Sequence, residues 1–200
     1  MTPKTLTRRA LGAGLAAMTL VLSGCSEPPV AFTGIDITGA DYAKGFSLTD
    51  HNGQARTLAD FKGKAVVVFF GFTQCPDVCP TSLSEMAQAK QLLGQDGERL
   101  QGLFISIDPE RDTPAIMKEY MASFDPSFLA LHAKLDELPE LAKSYKIFYK
   151  KVEGPTPTSY TVDHSAGSYI YDTQGRIRIY HRYNSGAQAL ANDVKALLAE

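Results

Sequence analysis

The chain has 200 residues, of which 44% are hydrophobic, 21% charged and 10% aromatic, and its formal net charge is −2. Those figures suit one globular domain with a core of ordinary size and exclude a solvated, disordered coil. With no basic surplus and no charge block, nucleic acid is not an expected partner.

The first segment, "MTPKTLTRRALGAGLAAMTLVLSGCSE", places Lys4, Arg8 and Arg9 before an apolar run from Ala10 to Leu22, which ends in small residues. This is the anatomy of an export signal, and the run falls short of the ~20 residues that span a bilayer comfortably. "LSGC" at 22–25 resembles the bacterial lipobox, in which the cysteine is acylated and becomes the mature first residue. The expected organisation is therefore a lipoprotein signal peptide over 1–24, a tether over 25–44 stiffened by Pro28-Pro29, and one domain over 45–200. Acylation of Cys25 would anchor that domain to a membrane of a bacterial envelope, outside the cytoplasm and on the periplasmic side in a Gram-negative cell. Arg8-Arg9 leaves open export by either the general or the twin-arginine route. Removing 1–24 takes away Lys4, Arg8 and Arg9 and no acidic side chain, so the charge falls from −2 to −5.

Along the mature chain, "FSLTDHNGQARTL" reads as a hairpin turning at Asn52-Gly53. "KAVVVFFGF", 64–72, is a continuous apolar, β-branched and aromatic run, as expected of a strand buried on both faces. A helix is expected from Pro80 in "PTSLSEMAQAKQLLG", closed by Gly94, followed by a second buried strand over 100–107. "DTPAIMKEYMASF" supplies Thr113 as a helix cap, with Pro114 at the first helical position. A short strand in "FLALHA", a helix over about 136–145 and a strand near 147–152 follow, then a Pro- and Thr-rich loop over 153–160. A hairpin turning at Gln174-Gly175 and an amphipathic helix, "AQALANDVKALLA", complete an α/β sheet covered by helices.

Two of the three cysteines, Cys75 and Cys79, sit in "GFTQCPDVCP" between the first buried strand and the helix after it. The sulfurs thus fall at the carboxyl end of a strand and near a helix N-terminus, a placement that favours thiolates. Pro76 and Pro80 discourage helical conformation at Cys75 and Cys79 and place the pair in a rigid turn. In an exported protein the pair suits a structural disulfide, a redox couple or metal ligands.

"GFTQCPDVCP", "ISIDPERDTP" (105–114) and "YTVDHSAGSYIYD" (160–172) together resemble the Sco family, also called SenC, the copper-delivering proteins of cytochrome c oxidase assembly. The resemblance covers essentially the whole mature domain. It implies a thioredoxin-like fold with a central mixed sheet flanked by helices and an extra N-terminal hairpin. It also implies copper, as Cu(I) or Cu(II), bound by Cys75, Cys79 and His164. Two soft thiolates and one imidazole suit copper in either state, whereas a closed zinc site would normally take a fourth ligand. The implied role is a membrane-anchored metallochaperone, rather than an enzyme, that helps assemble the dinuclear copper site of cytochrome c oxidase subunit II. An upstream copper donor and a thiol reductant would be its other partners. Cys75 and Cys79 could also form a redox disulfide, so the rival readings are a thiol-disulfide oxidoreductase acting on the target's cysteines or in peroxide defence, and a copper or redox sensor.

Asp163 is a weaker candidate for orienting the His164 ring, because a strand neighbour points to the opposite face. His51, His132 and His181 read as loop or surface residues, and Met117 and Met121, four apart on a helix, as core. In "DPERDTP", Asp108 and Arg111 are expected to pair within the turn.

Overall fold

The apolar run at 64–72 forms β4 (Ala65–Gly71), and every one of its residues is buried. A strand hidden on both faces needs neighbours on both edges and cover on both sides, and the rest of the chain supplies them. In the computed structural model, Met1, residues 31–156 and residues 159–200 are described; the signal segment and Cys25 lie outside them. β5 (Leu100–Ser106) runs parallel to β4 in unbroken register, from Ala65 opposite Leu100 to Gly71 opposite Ser106. β6 (Leu129–His132) extends the parallel set. The connections are α1 (Val78–Leu92) and α2 (Pro114–Ala122), giving two consecutive βαβ units. At the start of α2 the Thr113 hydroxyl accepts from the Ile116 amide and Pro114 takes the first helical position, as the sequence predicts.

On the opposite edge of β4 lies β9 (Ser168–Tyr171), antiparallel, with Phe69 opposite Ser168. β10 (Ile177–His181) pairs with β9, and β1 (Ile35–Asp36) pairs with β10. The N-terminal hairpin, β2 (Ser47–Asp50) and β3 (Ala55–Thr57), joins the far edge through β6. The order β1-β10-β9-β4-β5-β6-β2-β3 is thus one mixed, eight-stranded sheet. Both hairpins turn where expected, on Gly53 (φ +80°) and Gly175 (φ +77°), a conformation that glycine adopts without strain. α3 (Leu138–Ser144) precedes a separate two-stranded ribbon, β7 (Tyr149–Val152) with β8 (Thr161–His164). The last helix, α4 (Ala187–Ala199), packs against α1.

Three sequence expectations change. α1 begins at Val78, not Pro80, so Cys79 lies in its first turn. A proline is tolerated there because the first amides of a helix have no intrahelical acceptor to lose. His181 is not a surface residue: it follows the inward positions Ile177 and Ile179 on β10 and is 4% exposed. Part of the segment read as tether is built into the domain, since β1 extends the sheet and Ala43 is buried beneath the Tyr171 hydroxyl, which donates to its carbonyl at 2.7 Å. Met117 and Met121 are core residues, as expected.

The entering chain is held by Asp193 of α4, a buried carboxylate that accepts from the amides of Thr33 (2.6 Å) and Gly34 (2.9 Å). Replacing Asp193 with alanine should leave both donors unpaired and lower stability by about 2 kcal/mol. Urea unfolding of the purified domain tests this. The midpoint should fall while the slope of free energy on denaturant stays unchanged.

Candidate metal centre

The site is assembled by topology. β4 delivers the chain to the carboxyl edge of the sheet, where 72–77 turn before α1 starts. β5 is parallel to β4, so the segment that follows it, 107–113, reaches the same edge. β9 is antiparallel to β4, so its beginning, not its end, lies beside the end of β4. The residues that lead into β9 therefore arrive over the cysteine turn, and His164 is the last residue of β8, just upstream. The three segments singled out in the sequence meet at one place.

Cys75, Cys79 and His164 bring their ligand atoms within 4.8 Å of one another, the only such cluster of His, Cys, Asp or Glu side chains found among the described residues. Cys79 is fully buried and Cys75 half-buried, and both are free thiols. The His164 Nδ1–H donates to the Ser165 carbonyl at 2.8 Å, which leaves the Nε2 lone pair facing the Cys79 sulfur at 3.5 Å. The ring is wedged edge-on against Phe69 and Phe72, with centroids 6.1 and 5.9 Å away. The orienting group is thus a backbone carbonyl. Asp163 sits on the exposed side of the ribbon opposite Lys150 and makes no hydrogen bond to the ring.

Two residues that the sequence reading passed over shape the pocket. A Cβ on Gly71 would lie 2.7 Å from the Cys79 sulfur and 2.9 Å from both Phe69 and Phe104, so the thiol occupies room that only glycine leaves. Asp112 accepts from the Thr73 hydroxyl (2.6 Å), the Thr73 amide (3.2 Å) and the Ser106 hydroxyl (2.6 Å), bracing the turn two residues before Cys75. Its burial pushes its carboxyl above the usual range. Spacing betrays neither role, because both depend on what stands opposite in the fold.

The two thiols are electrically unequal. The Cys79 thiol donates to Cys75, and with the Cys79 amide (3.4 Å) and the neighbouring His164 ring it outweighs desolvation, so the Cys75 thiol is pulled down to about 4. Cys79 moves in the opposite direction, because it shares its proton with the Cys75 thiolate and is buried. The resting pair is one thiolate and one thiol. This is a nucleophile with a resolving partner, and the same two sulfurs become a pair of soft donors once the second proton leaves.

Fold and site together define a thioredoxin-like domain with a two-thiol, one-imidazole cluster at the carboxyl edge of its sheet. The SCO1/SenC family model matches residues 36–199, and the chain belongs to that family. Among its relatives, the bovine mitochondrial SCO2 homologue is 36% identical over 156 residues, covering 77% of this chain and 59% of the bovine protein, so the domain accounts for well under two thirds of that relative. The SCO2-like protein of Rickettsia felis is 33% identical over 167 residues, 83% of this chain and 82% of its own. Among solved structures, copper-bound ScoI of Bradyrhizobium japonicum is 42% identical with a TM-score of 0.70, covering 76% of this chain and 97% of that one. Yeast Sco1 with copper bound is 32% identical, also with a TM-score of 0.70, covering 78% and 87%.

The inequality of the thiols is measurable in the reduced, metal-free protein. Iodoacetamide should label Cys75 first, at a rate nearly flat from about pH 6 to 9, because its thiolate is fully formed there and is lost only as the pH falls towards its pKa. Mass spectrometry assigns the site. A rate that climbs tenfold per unit up to about pH 8.5 would show an ordinary thiol instead.

Proposed function

We propose that this protein is a membrane-anchored copper chaperone that carries copper on Cys75, Cys79 and His164 and helps metallate the dinuclear site of cytochrome c oxidase subunit II. The observation that carries the reading is the donor set: two sulfurs and one imidazole nitrogen within 4.8 Å, with no fourth His, Cys, Asp or Glu donor in the cluster among the described residues. Three soft or borderline donors fit copper in both oxidation states, and two thiolates alone suffice for Cu(I). Copper here is cargo, so the site must also release it. The cluster opens into a pocket of about 340 Å³ lined by Phe72, Pro76, Val78 and Thr161 to His164, and an incoming ligand could approach through it.

Cargo and redox state compete for the same atoms. Oxidation of Cys75 and Cys79 to a disulfide passes two electrons to an acceptor and removes both thiolates together, so a thiol reductant would be needed before copper could be taken up from a donor. Acylation at Cys25 would hold the domain at the outer face of the cytoplasmic membrane or on another envelope membrane, within reach of an oxidase. Among the described residues no helix is long and apolar enough to cross a membrane.

The half-exposed thiolate of Cys75 beside the protonated Cys79 favours a second reading, a thiol-disulfide oxidoreductase. The two separate at His164, which dithiol exchange does not need. In the reduced domain, His164→Ala should weaken Cu(II) by at least about tenfold and leave Cu(I) much less affected. In cells lacking this protein, His164→Ala should fail to restore oxidase activity at limiting copper and recover in part with added copper. Full restoration by the variant at limiting copper would favour the oxidoreductase.

A further inference from the structure

The β7–β8 ribbon that ends in His164 shares no backbone pairing with the eight-stranded sheet that carries the cysteines. Beyond the short link from His164 to β9, its height above the thiols is left to side chains, and one of them stands out. Arg111, with a side chain 14% exposed, donates from Nε to the Asp108 carboxylate at 2.5 Å and from Nη1 to both the Gln74 side-chain carbonyl (3.1 Å) and the Tyr160 backbone carbonyl (2.7 Å). Its guanidinium lies 3.5 Å from the centre of the Tyr160 ring and 5.7 Å from that of Phe72, the ring against which His164 is wedged. The Tyr160 hydroxyl donates in turn to the other Asp108 oxygen at 2.6 Å and to Glu110 at 3.3 Å. Lys151 of β7 lies 3.8 Å from the Tyr160 ring centre and pairs with Glu110 at 3.2 Å.

One planar cation thus ties together the residue before Cys75, the loop after β5 and the residue that leads into β8. Only a guanidinium supplies three in-plane donors while stacking on an aromatic face; an ammonium of the same charge does not. The expected Asp108–Arg111 pair is present, yet a turn-stabilising ion pair would not need Gln74 or Tyr160.

We infer that Arg111 is the positioning residue of the metal centre: its clasp on Tyr160 holds the ribbon at the height where His164 reaches the two thiols. It thereby favours the three-donor mode that Cu(II) requires over the two-thiolate mode that serves Cu(I). This rests on the three-donor reading of the site.

The test compares Cu(II) and Cu(I) affinities of the reduced domain, with the thiolate-to-Cu(II) charge-transfer band as a signature of geometry. Arg111→Ala should weaken Cu(II) about tenfold and shift the band. Its Cu(I) affinity should stay within about twofold. Arg111→Lys should behave like alanine rather than wild type, since charge alone does not restore the fork. In a His164→Ala background, Arg111→Ala should add nothing further. Should Arg111→Ala fail to fold, Tyr160→Leu removes the stacked ring and its hydroxyl bonds while sparing Arg111's own bonds to Asp108 and Gln74, and is held to the same outcomes. The inference is overturned if Cu(II) affinity is unchanged while His164→Ala still lowers it, or if Arg111→Ala lowers both oxidation states equally or acts without His164. If His164→Ala also changes nothing, it is the three-donor site itself that fails.

Discussion

The metal centre depends on one pairing, the antiparallel register of β9 on β4 with Phe69 opposite Ser168. It folds a segment 85 residues further along the chain back over the cysteine turn, as the separation of Cys79 and His164 shows. Slipping this register by one residue would turn Tyr169 and Tyr171 to the opposite face of the sheet and carry His164 away from the sulfurs. The pairing is strongly specified because every residue of β4 is buried and Tyr169, Ile170 and Tyr171 are buried with it. The Tyr169 hydroxyl donates to the Tyr145 carbonyl at 2.5 Å, and the Tyr171 and Tyr145 hydroxyls are hydrogen-bonded at 3.0 Å, so the strand is fixed by polar contacts as well as by apolar area. Closing so long a loop is costly in entropy but only weakly dependent on length, and the buried strand offsets it.

On that rigid frame Cys75 sits on a turn, Cys79 in the first turn of α1 and His164 at a strand end. Gly71 vacates the space that Cys79 fills, Asp112 braces the turn before Cys75, and the Ser165 carbonyl selects the His164 tautomer. The consequence is a graded pair of thiols, one buried and protonated, one half-exposed and ionised. A closed structural metal site would have buried both and added a fourth donor. The geometry suits a metal that arrives and leaves, and it makes oxidation of the same sulfurs a direct block on loading.

Much of this was legible beforehand, and the reasons are local. The 64–72 and 100–107 runs announce buried strands by composition, Asn52-Gly53 and Gln174-Gly175 announce hairpins by turn chemistry, and Thr113-Pro114 announces a helix start. That Cys75, Cys79 and His164 belong together is what the family resemblance carried by three separated motifs implies, and the fold does bring the three side chains to one place. What stayed hidden involves partners distant in sequence. The two-residue β1 carries no periodicity, and its place is set by Asp193 and β10. His181 resembles any polar strand residue until the register of β10 turns it inward. Pro80 looks like a helix start because proline favours the first turn in general, and only the structure shows that the turn had begun two residues earlier. The wider reach of Arg111 to Gln74 and Tyr160 likewise needs the ribbon in place.

The central claim is that β8 delivers an imidazole to the two thiols. X-ray absorption on the reduced domain loaded with one equivalent of Cu(II) tests it most directly, since sulfur and imidazole scatter distinguishably. The account predicts two sulfur neighbours together with the outer-shell pattern of one imidazole. Two sulfurs without an imidazole signal in the wild-type protein would contradict it.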